Sequence, residues 1–226
     1  MKNNKKIILD VPIIHQPDGS LECSIAALKM VMDYNNDVVP YQTLVSELSE
    51  WINEEERHIQ GAGIYLARRG YEVWFTHHDP GVIDKTIENS TEIDKPKLVS
   101  KLSIIPQNDS TAYRRKKLSL DIAYIEAGGH YANTIPALDV IDLNLHKKLP
   151  TIICVKIKVW SSNPEKRNNH SVVVVGKEND DYIINDPSPK VSSPYKINKN
   201  KLLMAWYACG AYTLVVRLQK KTSLHQ

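Results

Sequence analysis

The sequence predicts an α+β fold, with a helical part first and a β-sheet second. Apolar residues recur at helical spacing through the first half of the chain, whereas β-branched, alternating runs follow Pro150. The connections between those later runs are short and rich in turn residues, which favours antiparallel pairing. A length of 226 residues suits one domain with a packed core. We therefore expect a single domain over residues 1–226, with its helices packed on a C-terminal antiparallel sheet.

Composition argues against several classes of function. Hydrophobic residues make up 42% of the chain and charged residues 24%, and the formal net charge is +3. Because positive and negative residues are interspersed, we expect no nucleic-acid partner. No apolar run approaches the ~20 residues of a membrane span, and the basic N-terminus lacks the apolar core of a signal peptide. Three cysteines without a CxxC pair give no disulfide framework, so we expect a cytoplasmic protein with no membrane partner.

The central predicted helix covers residues 21–34 and is apolar on most sides, which predicts that it is buried. An extended segment containing Pro12 and a turn at residues 16–19 precede it. Ser20 is a suitable N-cap, which places Cys23 in the first helical turn. Backbone N–H groups there have no intrahelical partner, and the helix dipole favours a thiolate. Cys23 is therefore a candidate nucleophile, although a small core residue fits the same pattern.

The other elements of the first half are shorter. Helices are predicted after Pro40 (with Leu44, Leu48, Trp51 and Ile52 at helical spacing), at 61–69, at 118–127 and at 137–145, and a strand at 71–76. Gly70 is placed to end the helix at 61–69 in a left-handed conformation. Residues 82–117 are rich in Lys, Asp, Ser and Asn, so we expect a loosely packed insertion there. Its basic run at residues 114–117 is expected to be a solvated face.

The second half supplies the predicted sheet. Strands are predicted at 151–159, 171–175, 182–185 and 211–218. The first of these is β-branched and alternating, whereas residues 171–175 form a continuous apolar run typical of a buried strand.

Two polar residues lie at the ends of neighbouring predicted strands. His170 precedes the buried strand at 171–175, and Asp186 follows the strand at 182–185. Antiparallel pairing across the intervening turn places Asp186 beside His170, where it can accept from one ring nitrogen and leave the other for Cys23. A strand-capping histidine and an Asp-Pro turn are the structural alternatives for the two residues taken singly. Their pairing favours a Cys23–His170–Asp186 triad.

Gln16 lies in the loop ahead of the candidate nucleophile. Its side-chain amide can join the Cys23 backbone N–H as a donor to an oxyanion, a contribution of about 3–4 kcal/mol at comparable acyl-transfer sites. A glutamine in a loop is otherwise a surface residue.

Four short motifs contain or precede the candidate site residues, in the following order along the chain. They are Leu9-Asp-Val-Pro12, Gln16 ahead of Cys23 with Ala26-Ala27-Leu28, His170-Ser-Val-Val-Val-Val-Gly176, and Asn185-Asp186-Pro187. Together they resemble the C39-like branch of the papain-like cysteine peptidases, over nearly the whole chain except residues 82–117. Ser24-Ile25 stand where that family usually has Gly-Pro.

The resemblance implies a papain-like fold in which the central helix carries the nucleophile. It also implies a cysteine peptidase or amidohydrolase that works through a thioester, with a peptide or protein substrate and no metal or organic cofactor. Cys23 would be the nucleophile, His170 the base, Asp186 the orienting carboxylate and Gln16 the oxyanion donor. Two alternatives remain open: an acyl or aminoacyl transferase on the same triad, and a catalytically silent peptide-binding module.

The remaining candidates favour structural roles. Cys154, among β-branched residues, is expected in the core, and Cys209 near a turn. His77-His78-Asp79 and His130 have no spacing typical of a zinc site. Trp160 is the tryptophan best placed in the sequence to line a peptide cleft.

Overall fold

The computed structural model describes residues 6–49, 51, 59–78, 96, 99–100, 103, 112–134, 136–161 and 169–217. The helices within these ranges are α1 (Cys23–Tyr34), α2 (Tyr41–Leu48), α3 (Ile59–Arg68), α4 (Ala112–Glu126), α5 (Leu138–His146), α6 (Ile157–Trp160) and α7 (Lys199–Tyr207). The strands are β1 (Ile7–Ile8), β2 (Glu72–His77), β3 (His130–Asn133), β4 (Thr151–Lys156), β5 (Asn169–Glu178), β6 (Asp181–Asn185), β7 (Tyr195–Asn198) and β8 (Thr213–Arg217). No helix in the described ranges has the length and apolar character needed to cross a membrane.

The described strands form one sheet in the order β3-β2-β8-β4-β5-β6-β7, and β1 pairs with β5. All the pairings are antiparallel except that between β2 and β3, which is parallel. The predicted α+β fold is confirmed. The sheet is larger than the C-terminal half alone predicts, because β2 and β3 from the first half extend it beyond β8.

Helix α1 is the central helix, as its sequence predicts. Its first ten residues, Cys23–Met32, are all buried, and it packs against β5. Lys29 is buried with them because its ammonium group pairs with Asp33 one turn later, at 2.5 Å. An apolar sequence on nearly every side of a helix is stable only when other elements surround it. This burial fixes the N-terminus of α1 against the start of β5.

A glycine lets two helices approach closely beside this core. At Gly63 in α3, an added Cβ would lie 2.7 Å from the Cε2 atom of Tyr124 in α4. Gly70 ends the α3 segment with a φ of 83°, as predicted for a left-handed cap.

Several predicted boundaries are wrong. The N-cap of α1 is Glu22 rather than Ser20, whose hydroxyl instead accepts a hydrogen bond from the Glu22 N–H at 3.5 Å. The strand predicted at 151–159 ends at Lys156, because the chain turns into the short helix α6. Strands β3 and β7 and helix α7 were not predicted as elements.

Part of the predicted insertion is ordered structure. Residues 112–117 form the first turns of α4, and the Lys117 side chain is buried with its ammonium over the Tyr212 ring, 5.1 Å from the centroid. The expectation of a solvated face is therefore wrong for Lys117. Within residues 82–111 the structure describes only 96, 99–100 and 103, all of which are helical, and Val99 packs against the core. The predictions for the rest of 82–111, and those for Ile52 and Asp79, lie outside the described residues.

Candidate active site

Cys23 lies where the N-terminus of α1 meets the start of β5. It is the first residue of α1 and is buried, with 5% of its surface exposed. The backbone N–H of Ser171 in β5 donates to its Sγ atom at 3.5 Å. Both this N–H group and the positive end of the helix dipole favour a negatively charged sulfur. The contact joins the candidate nucleophile to the strand that carries the candidate base.

His170 is the second residue of β5, and its imidazole contacts both other candidate residues. Its Nε2 atom lies 2.7 Å from Oδ1 of Asp186, and the ring also hydrogen-bonds with the Cys23 side chain. Burial lowers the pKa of His170, but the hydrogen bonds and charges of Asp186 and Cys23 raise it more, to about 10. The raised pKa favours the imidazolium form of His170 at neutral pH.

Asp186 follows β6 and is nearly fully buried. Its Oδ1 atom accepts from His170 Nε2 and from the Ser188 N–H at 2.8 Å, and its Oδ2 atom accepts from the Tyr195 hydroxyl at 2.8 Å. Burial raises the pKa of Asp186, but these three donors and the His170 charge lower it below its ordinary value. The antiparallel pairing of β5 and β6 sets this geometry. Val173 lies opposite Asn185, so Asp186, the residue after Asn185, lies diagonally across from His170.

A buried pair of serines lies beside the nucleophile. The Ser24 and Ser171 hydroxyl oxygens are 2.9 Å apart, and both residues are about 2% exposed or less. One serine follows Cys23 on α1 and the other follows His170 on β5. Their hydrogen bond therefore joins the two elements that carry the candidate nucleophile and base.

Tyr195 binds Asp186 and Trp160 binds Tyr195, two contacts that the sequence does not predict. The Trp160 indole donates from Nε1 to the Tyr195 hydroxyl at 2.7 Å, and Trp160 is 8% exposed. That Trp160 lines a peptide cleft stays a prediction; the structure directs its indole N–H at the Tyr195 hydroxyl. Tyr195 gave a weak signal in the sequence, since it follows the same turn as Asp186, but its role depends on the pairing of β7 with β6.

Gln16 is held within its own loop. Its Nε2 atom donates to the Ser20 carbonyl at 2.5 Å, and its backbone N–H donates to the Pro187 carbonyl at 2.9 Å. Its Oε1 atom is buried without a hydrogen-bond partner among the described residues. The loop before α1 is thereby tied to the turn after Asp186. The oxyanion role of Gln16 stays a prediction, since its hydrogen bond to the Ser20 carbonyl uses one of the two donors of its amide nitrogen.

The other candidates belong to the core. Cys154 and Cys209 are buried free thiols, and their mutual hydrogen bond, together with burial, raises the pKa of Cys154. His77 is fully buried, with Nε2 at 2.6 Å from the Tyr131 hydroxyl. Within the described ranges, no three His, Cys, Asp or Glu side chains are grouped as metal ligands would be.

No family model and no curated protein matches the sequence significantly. A solved structure from Bacillus anthracis, described as a C39-like peptidase, matches with a TM-score of 0.51 and 17% identity, over 96% of this chain and 100% of that one. A double glycine motif protease from an AMS/PCAT transporter, solved with a leader peptide, matches at 0.49 and 16%, over 95% and 98%. The peptidase domain of the Streptococcus ABC transporter ComA matches at 0.49 and 19%, over 92% and 98%. The chain has a C39-like peptidase fold, which confirms the predicted resemblance at the level of the fold.

Proposed function

We propose that this protein is a cysteine peptidase or amidase that uses Cys23, His170 and Asp186. The observation that carries the proposal is the continuous set of contacts from the Cys23 sulfur to the His170 ring and from its Nε2 to the buried Asp186 carboxylate. A nucleophile, a base and a group that orients the base are the three parts that covalent catalysis of acyl transfer needs. The fold shared with a C39-like peptidase supports the same reaction class.

In the proposed reaction, the Cys23 thiolate attacks the carbonyl carbon of a peptide or amide bond and the carbonyl oxygen becomes an oxyanion. His170 then gives its proton to the leaving amine, the C–N bond breaks, and a thioester remains on Cys23. A water molecule loses a proton to His170 and attacks the thioester. The Cys23 thiolate and a carboxylic acid product are released.

Asp186 keeps His170 in its reactive orientation and stabilises its positive charge. Because the carboxylate binds Nε2, the other ring nitrogen, Nδ1, is the atom that exchanges the proton with Cys23 and the leaving group. We assign the developing oxyanion to backbone N–H donors at the first turn of α1 and to the second N–H of the Gln16 amide.

We propose a peptide or protein substrate, since the fold is that of a peptidase and the chemistry requires an acyl carbon. The reaction needs Cys23 as a free thiol, and all three cysteines are free. A reducing compartment such as the cytoplasm suits this requirement.

The test is hydrolysis of a mixed peptide library, followed by mass spectrometry, for the wild type, Cys23→Ala and Cys209→Ala. The expected result is cleavage by the wild type and by Cys209→Ala, which removes a buried thiol elsewhere, and none by Cys23→Ala. Cleavage that survives in Cys23→Ala would contradict the proposal. Comparing the products with and without an added amine separates hydrolysis from acyl transfer, because a hydrolase releases the acid without the amine, whereas a transferase needs it to turn over.

A further inference from the structure

Two buried side chains, Trp160 and Asp186, and the half-buried Tyr195 between them form a hydrogen-bonded chain that ends at the candidate triad. Trp160 ends α6, Tyr195 begins β7, and Asp186 follows β6. The Trp160 indole donates to the Tyr195 hydroxyl at 2.7 Å, and that hydroxyl donates to Asp186 Oδ2 at 2.8 Å. The hydrogen bonds of these two aromatic side chains therefore run to each other and to Asp186.

The direction of these hydrogen bonds follows from the side chains themselves. An indole N–H can only donate and an ionised carboxylate can only accept. The Tyr195 oxygen must therefore accept from Trp160, which leaves its single proton for Asp186. Burial, followed by the charge of Asp186, raises the pKa of Tyr195 far above its ordinary value, so the hydroxyl keeps this proton at any working pH.

The sheet register explains why Tyr195 reaches the carboxylate. Tyr195 lies opposite Ile184 in the antiparallel pair of β6 and β7. Asp186 is two residues after Ile184 and therefore lies on the same face, diagonally across from Tyr195. The Trp160 and Tyr195 rings also pack edge to face, with centroids 6.3 Å apart. The hydroxyl is thus fixed by backbone pairing, ring packing and a hydrogen bond.

The two oxygens of Asp186 have different partners. Oδ1 accepts from His170 and from the Ser188 N–H, whereas Oδ2 accepts from Tyr195. A buried carboxylate keeps its charge only when donors satisfy it. Without the Tyr195 hydroxyl, the Oδ2 side of Asp186 would lose a donor, and both the ionised form and the orientation of the carboxylate would be less well held.

We propose that Tyr195, fixed by Trp160, is a positioning residue that keeps Asp186 ionised and directed at His170. This inference rests on the proposed function, because it concerns the same triad. It assigns a role to two aromatic residues outside the four that the sequence nominates.

The test is the rate of Cys23 alkylation by iodoacetamide as a function of pH, which needs no peptide substrate. Tyr195→Phe removes the hydroxyl and keeps the ring, and Trp160→Phe removes the indole donor. Tyr182→Phe is the matched control, since the Tyr182 hydroxyl likewise donates to a carboxylate, that of Asp142, at 2.8 Å. Thermal unfolding of all four proteins shows which variants are folded.

We expect Tyr195→Phe to move the acid limb of the alkylation profile to higher pH by about one unit. Loss of the donor raises the pKa of the buried Asp186 carboxylate, and an Asp186 that takes up a proton at higher pH no longer holds the charged His170 beside the Cys23 thiolate. Trp160→Phe should move the acid limb less in the same direction, and Tyr182→Phe should leave it unchanged. Coincident profiles for Tyr195→Phe and wild type would overturn the inference, as would an equal shift in Tyr182→Phe. A wild-type Cys23 that reacts like an ordinary thiol would instead reject the proposed function and this inference together.

Discussion

Replacing Asp186 with asparagine is the sharpest test of how the triad is organised. The substitution keeps the size of the side chain and removes its charge. An asparagine oxygen at the Oδ1 position can still accept from His170 and the Ser188 N–H, whereas an amide nitrogen at the Oδ2 position would face the Tyr195 hydroxyl. The variant should therefore fold, but it leaves His170 without its anionic partner.

The size of the effect follows from the contact that is weakened. A hydrogen bond to a charged group contributes about 1.5–3 kcal/mol, and 1.36 kcal/mol corresponds to one pKa unit or a tenfold change in rate. The pKa of His170 should therefore fall by about one to two units from its value of about 10. His170 would still be protonated at neutral pH, so the expected loss comes from an imidazolium that is less well oriented and less well stabilised in the transition state. The same contribution of about 1.5–3 kcal/mol there corresponds to about a 10- to 150-fold fall in peptide cleavage.

The assay combines the pH dependence of kcat/KM with chemical denaturation. Asp142→Asn is a matched control, since Asp142 also binds a tyrosine hydroxyl and a cation but lies outside the candidate site. We expect the alkaline limb of the profile to move to lower pH in Asp186→Asn alone. An unchanged rate and an unchanged alkaline limb in a folded Asp186→Asn variant would refute the role given to this carboxylate.

Three further predictions follow from single contacts. The pKa of His170 is raised from 6.5 to about 10, so its charge stabilises the fold fully below pH 6.5, and this stabilisation is lost as the pH rises through about 10. In urea denaturation across that range, the free energies of unfolding of the wild type and His170→Gln should therefore converge at the alkaline end. A double-mutant cycle of Ser24→Ala and Ser171→Ala should give a coupling energy of about 0.5–1.5 kcal/mol by denaturation, and a value near zero would show that their hydrogen bond does not join α1 to β5. Gly63→Ala should lower the free energy of unfolding by about 1–3 kcal/mol, because the new Cβ would lie 2.7 Å from Tyr124; an unchanged unfolding midpoint would show that the ring can move aside.

The sequence predicts the fold best where periodicity and burial agree. The all-round apolar pattern of α1 predicts its central position because such a helix has no stable exposed face. The sequence does not predict β3, since the four residues at His130–Asn133 carry a weak pattern of their own. Their strand conformation comes from parallel pairing with β2, a long-range contact that local sequence does not encode.

In the candidate site, too, some contacts are predictable from the sequence and others depend on long-range pairing. The contact of His170 with Asp186 is predictable, because antiparallel pairing brings the start of β5 next to the end of β6. That of Tyr195 is not, since its hydroxyl reaches Asp186 only through the β6–β7 register. The contact between Trp160 and Tyr195 is not predictable either, because a tryptophan before a loop gives no information about the direction of its indole N–H.

The central claim is that Cys23 is an activated thiolate paired with His170. Its most direct test is brief iodoacetamide labelling of the folded protein at about pH 6, followed by peptide mapping of all three cysteines; an ordinary thiol is almost entirely protonated at that pH. We predict rapid modification of Cys23 and little of Cys154 or Cys209. Modification of Cys23 no faster than that of glutathione under the same conditions would contradict the account.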